Sequence, residues 1–183
     1  MRKGFTLPEL IVATGLGMLL ILIIFMSTIT IQRVGFQLYK KYSIALSSKT
    51  MLNKISKELA KNISPISGQN PIRQVTNNSV EFYSVRIVPN NPNPVPIIQT
   101  ITVNRNRVNH GISYTIISEE RDLNGNRLGQ RQSSTFIEAE NSNLWFGNLQ
   151  NVAIRIYLLN QFNYRGQRYE LYYSVDVPIN IIQ

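Results

Sequence analysis

Acid–base chemistry in this 183-residue chain rests on ten carboxylates and one histidine, against nineteen Lys and Arg, with no cysteine. A disulfide framework, a thiolate metal site and a cysteine nucleophile are excluded at once. His110 stands beside Gly111 in an expected turn, and Glu119, Glu120, Asp122, Glu138 and Glu140 are scattered rather than paired across a site. Glu138 and Glu140 would share one strand face at period two, which reads as a solvated face or a weak cation pair. Asp122, Asn124 and Asn126 echo the opening of a calcium loop, but Arg127 stands where the glycine belongs and Ser133 where the closing glutamate belongs. No catalytic constellation emerges, so an enzyme is not expected and no cofactor or metal is called for.

Glu9 is the carboxylate whose position asks for chemistry. No charged residue occurs between it and Arg33, so Leu10 to Gln32 is a 23-residue uncharged run. As a helix it covers about 34 Å, enough to span a hydrocarbon layer of about 30 Å. An ionised carboxylate in that layer costs about 2.5–3.5 kcal/mol on insertion scales. The positive end of a helix dipole returns only about 0.3–1 kcal/mol. A cationic partner is expected, the plain alternative being a first-turn glutamate at headgroup level.

A second set of residues could meet nucleic acid. Arg155, Tyr157, Phe162, Tyr164, Arg165, Arg168, Tyr169, Tyr172 and Tyr173 interleave cations with aromatics on which bases could stack. Strand alternation explains most of these aromatics as core, with arginines reaching past them to water. The formal charge is +9, of which residues 1–61 carry +7 and residues 62–183 carry +2. That excess makes DNA a weaker candidate partner.

The elements that position these residues follow from period and punctuation. Leu38, Tyr42, Ala45, Leu52, Ile55, Leu59 and Ile63 recur at helical spacing, and no proline falls between Leu10 and Ser64. One helix of about 55–60 residues, about 85–90 Å long, is predicted. Lys54, Lys57 and Lys61 lie on another of its faces. After Ser64-Pro65 the period changes to two, over 80–88, 97–103, 112–118, 127–138, 152–159 and 168–179. The four prolines between Pro89 and Pro96 predict an exposed loop, Asn124-Gly125 a hairpin whose second strand is a polar edge, and Asn160 to Gln167 a connection. The fold class is α+β, a long helix packed on an antiparallel sheet of five to seven strands.

The run Lys3-Gly4-Phe5-Thr6-Leu7-Pro8-Glu9-Leu10, followed by an apolar helix, resembles the processing motif of type IV pilins and the pseudopilins of type II secretion. An ordinary signal peptide differs, with a 7–15-residue apolar stretch and a small-residue cleavage site. The resemblance implies that a prepilin peptidase cuts between Gly4 and Phe5 and methylates the Phe5 amine. Arg2 and Lys3 then belong to a leader, residues 1–4, kept in the cytoplasm. Residues 5–32 become the transmembrane and assembly half of the helix, 33–64 its amphipathic half, and 65–183 a β-rich domain in a lollipop-shaped subunit. Pro8 falls among the first four backbone nitrogens, which lack intrahelical acceptors in any helix. Glu9 pairs, on this reading, with the methylated amine of a neighbouring subunit and sets axial register.

Missing C-terminal cysteines and the absence of a proline between Pro8 and Pro65 depart from the major-pilin pattern. The layout is most like the minor pilin W and pseudopilin J group. The expected life of the chain is single-pass residence in the inner membrane, with its domain in the periplasm or outside the cell. It then joins a pilus or pseudopilus, at or near the tip. Its expected partners are prepilin peptidase, other pilins or pseudopilins, an inner-membrane assembly platform and, before assembly, the lipid bilayer. A DNA-binding subunit of a competence filament and a major pilin are the alternatives.

Overall fold

The computed structural model describes residues 6–64, 67–88, 93–109, 111–139, 141–164 and 166–180, and of Tyr164 only the main chain. One helix, α1 (Leu7–Leu59, 53 residues), precedes eight strands. They are β1 (Ile72–Val75), β2 (Ser79–Arg86), β3 (Val95–Val108), β4 (Gly111–Arg121), β5 (Gln132–Ile137), β6 (Asn141–Leu149), β7 (Ala153–Tyr164) and β8 (Gln167–Pro178). The α+β class stands. The single sheet does not: the strands form a five-stranded sheet ordered β1-β2-β3-β4-β5 and a three-stranded sheet ordered β6-β7-β8. Every pairing is antiparallel between sequence neighbours.

Two compact units divide the chain, Met1–Ser43 and Ile44–Gln183, and α1 contributes residues to each. In the first unit, α1 is long and apolar enough to cross a membrane, and its apolar window is wholly unburied. Leu16, Ile21, Phe25 and Ile31 are all exposed. The hydroxyls in this stretch turn back on their own helix: Thr14 Oγ1 donates to Leu10 O at 2.9 Å, Thr28 to Ile24 O at 2.8 Å and Thr30 to Met26 O at 2.9 Å. Such bonds satisfy these hydroxyls within the helix itself.

In the second unit, the helix stripe that is buried reads Ile44, Ser48, Met51, Leu52, Ile55 and Leu59. It shares Leu52, Ile55 and Leu59 with the expected stripe, whereas Leu38 and Tyr42 are exposed and Ile63 lies beyond the helix. Met51, Leu52, Ile55 and Leu59 join one core with Phe82 of β2, Ile101 of β3, Tyr114 of β4, Phe146 of β6 and Ile156 of β7. Both sheets therefore close on the same helical stripe.

The helix stops five residues before Ser64 because its exit is capped by side chains. Asn62 Nδ2 donates to Leu59 O at 2.7 Å and to Pro178 O at 3.0 Å, while Asn180 N donates to Asn62 Oδ1 at 2.8 Å. Ser84 Oγ donates to Lys61 O at 2.9 Å, and Ile63 N donates to Tyr83 O at 2.9 Å. These bonds occupy carbonyls that a helix end otherwise leaves to water. The chain after α1 is thereby tied to β2 and to the end of β8.

Strand limits shift in instructive places. The polar strand expected over 127–138 shortens to β5, which is indeed a sheet edge. The expected connection from Asn160 belongs to β7 through Tyr164, since Asn160 pairs with Leu171 and Gln161 with Glu170 in the ladder. Pro96, assigned to a loop, pairs with Val85 inside β3, and residues 89–92 of that loop lie outside the described residues.

Candidate functional site

Three places carry the residues singled out by sequence. The first is the start of α1. Thr6 precedes the helix, and Glu9 reaches back so that Thr6 N and Thr6 Oγ1 both donate to Glu9 Oε2 at 2.8 Å. This is the return half of a capping box, with glutamate three residues after the capping threonine. Leu10 N donates to Thr6 O at 3.1 Å, the first i to i−4 bond. Pro8 sits in the first turn, where its missing N–H removes nothing from the ladder. Arg2, Lys3, Gly4 and Phe5 lie outside the described residues.

The second place is the three-stranded sheet. Arg155 Nε and Nη2 donate to Asp176 Oδ1 and Oδ2 at 2.5 and 2.7 Å, a two-pronged pair across β7 and β8. This hydrogen bonding holds the Asp176 carboxyl below the ordinary carboxylate range and raises the already basic Arg155. Arg168 Nε lies 3.3 Å from Glu170 Oε1. Tyr157 stacks on Trp145 with ring centres 5.1 Å apart, and Phe162, buried, stacks on Tyr169. The described cations of the expected nucleic-acid set thus stand beside carboxylates, which lowers their pull on phosphate. Arg165 and the Tyr164 side chain are outside the described residues.

The third place was misread from sequence. Glu138 is 3% exposed, not on a solvated face, while Ile137 beside it is 61% exposed. Just past the end of β5, Glu138 N donates to Ile112 O at 2.9 Å and Ile112 N to Ala139 O at 3.2 Å, turning the Glu138 side chain inward. Ser48 Oγ lies 2.6 Å from Glu138 Oε2 and 2.8 Å from Ile44 O, and Asn160 Nδ2 donates to Ser48 Oγ at 2.8 Å and to Glu138 Oε2 at 2.9 Å. Ser48 has one proton for two acceptors. A proton held on Glu138 resolves the count: the neutral acid donates a hydrogen bond to Ser48 Oγ, and Ser48 donates to Ile44 O. Burial raises the Glu138 pKa, against bonds from Ser48 and Asn160 that lower it. Glu138 Oε1 and Asn160 Oδ1 have no hydrogen-bond partner among the described residues. Ser48 and Asn160 were not flagged by sequence, and the only signal was a serine in an apolar helical stripe.

The raised pKa sets a sign. The folded chain holds this proton more tightly than the unfolded chain, so the stability is present below the unfolded value and drains away as pH rises through the folded one. Glu138→Gln keeps the shape without the proton. Thermal melts should show wild type losing stability relative to Glu138→Gln as pH rises from the ordinary glutamate range upward. Parallel melting curves across that range would refute a neutral buried acid.

Asp122, the calcium-loop echo, serves its own turn. Its Oδ1 accepts from Asn124 N at 2.9 Å and Asn126 N at 2.7 Å, and its Oδ2 from Asn126 Nδ2 at 2.9 Å. Glu119 is met by Arg121, Arg127 and Arg131, each at 3.3 Å. Among the described residues no three His, Asp or Glu side chains converge as metal ligands; His110 and Glu140 lie outside them.

Compared with protein-family models, curated proteins and solved structures, the chain finds no match in any of the three. What stands is an α+β chain with one long N-terminal apolar helix and two antiparallel sheets.

Proposed function

We propose that this chain is a structural subunit of the pilin and pseudopilin class, a minor pilin or pseudopilin held in the inner membrane by α1 and built into a filament through that helix. The observation that carries the reading is the sequence Gly4-Phe5-Thr6-Leu7-Pro8-Glu9 set directly before 23 uncharged residues. A helix that begins at Leu7 and leaves its apolar window unburied supports it, because such a surface needs lipid or other helices around it. On this reading, prepilin peptidase removes residues 1–4, and Glu9 exchanges its local bonds to Thr6 for the methylated amine of a neighbouring subunit. The role is mechanical rather than catalytic.

The test separates processing from assembly. Gly4→Val should leave the four leader residues in place, read as a heavier N-terminal peptide by mass spectrometry. Glu9→Gln should be processed normally yet be missing from filaments sheared off the cell. Identical N-termini in wild type and Gly4→Val would rule out cleavage at that bond, and wild-type amounts of Glu9→Gln in the sheared fraction would remove the assembly role.

A further inference from the structure

Between residues of β3 and β6, unit Ile44–Gln183 carries two adjoining hollows, of about 720 Å³ and about 410 Å³, which share Arg105 and Asn143. The larger is lined by the carboxamides of Asn77, Asn78, Asn104, Asn106 and Asn143, together with Trp145. Asn141 and Gln161 line the smaller. Among the described residues, one cation and no carboxylate border either hollow.

The walls are main-chain structure. Phe146 N donates to Asn77 O at 3.2 Å and Val103 N to Asn78 O at 2.8 Å, which pins the β1–β2 turn over both sheets. Arg105 Nε donates to Ser142 O at 2.8 Å, and Tyr114, 1% exposed, sets its hydroxyl 3.2 Å from Ser142 Oγ. Trp145 is held by its stack on Tyr157. Tyr157 in turn lies so close over Gly147 that a Cβ there would meet its ring at 3.0 Å.

We propose that this groove binds an oligosaccharide, with Arg105 placed to meet one acidic substituent. The carboxamides of Asn77, Asn104, Asn106 and Asn143 each offer a donor and an acceptor in one rigid plane, the match for neighbouring sugar hydroxyls that themselves both donate and accept, while Asn141 is held by Gln161 and Gln161 by Glu170. An aromatic surface at the edge of the groove suits the apolar C–H face of a pyranose. A nucleic acid asks for several cations along its backbone, and a hard metal ion asks for carboxylates. A groove of seven carboxamides and one arginine fits neither. This inference does not depend on the filament reading.

Trp145 is the chain's single tryptophan, so intrinsic fluorescence reports on the groove directly. The experiment titrates the full chain in detergent micelles with a galacturonic acid hexamer, with maltohexaose and with a single-stranded DNA 12-mer. A saturable change in emission with the acidic hexamer is expected. Asn104→Ala/Asn143→Ala, both exposed positions, should weaken it at least tenfold, and Arg105→Gln should abolish the preference for the acidic over the neutral sugar. No saturable change with either sugar overturns the proposal. So does undiminished binding in the double variant with an unchanged melting curve, or tighter, salt-dependent binding of the DNA.

Discussion

Ile55→Asp is expected to dismantle unit Ile44–Gln183. Ile55 is 0% exposed and lies in the one cluster shared by α1, β2, β3, β4, β6, β7 and β8. Removing its packing costs about 2–5 kcal/mol. A carboxylate left there without a partner adds several kcal/mol more, or forces protonation. The sum is comparable with a whole domain's margin of about 5–15 kcal/mol. Amide hydrogen exchange on the full chain reads the result: protection in β2, β4 and β7 should vanish together, because one helical stripe closes both sheets. Leu46→Asp, on the same helix but 52% exposed, should stay within about 0.5 kcal/mol of wild type. Protection lost from only one sheet would mean that the sheets have separate cores.

Gly111→Ala is the second large effect. A Cβ at Gly111 would lie 2.3 Å from Glu138 O and 3.3 Å from Ala139 O, both backbone atoms, and its φ of +157° is one that side-chain-bearing residues rarely adopt. Backbone cannot swing aside as a flexible side chain would. The antiparallel neighbours must separate, loosening the Ile112 bonds to Glu138 and Ala139. The expected cost is about 1–3 kcal/mol or more, a fall in melting temperature on the order of 5–10 °C. Gly35→Ala meets nothing within 4 Å and should leave the melt unchanged or raise it slightly. Equal melts for both variants would show that the close approach is not needed.

The helix and most strands were legible in the sequence because their periods are strong. Val80, Phe82 and Ser84 alternate inward from β2 as read, and the uncharged run before Arg33 marks α1. What could not be read is where polarity and burial part company. β6, Asn141–Leu149, is rich in asparagine and contributes only Leu144 and Phe146 to the main core, so it raised no strand expectation and the second sheet went unseen. Glu138 looked solvated and Asn160 looked like the start of a connection, yet each is buried against the other and against Ser48, a pairing between residues 112 positions apart at its widest. Local pattern carries no information about partners that distant. At the start of α1, Glu9 was visible because it stands directly before the uncharged run, whereas its bonds to Thr6 were not read.

The polar contact of Ser48 with Glu138 and Asn160 has a mechanical consequence. Sliding α1 by one turn against the strands would set an apolar side chain opposite a buried acid and amide, so the contact acts as a key that admits one axial setting. The Asn62 tether to Pro178 O holds the end of α1 to the end of β8, so the helix is fixed along its axis at two separate points, one acidic and one amide.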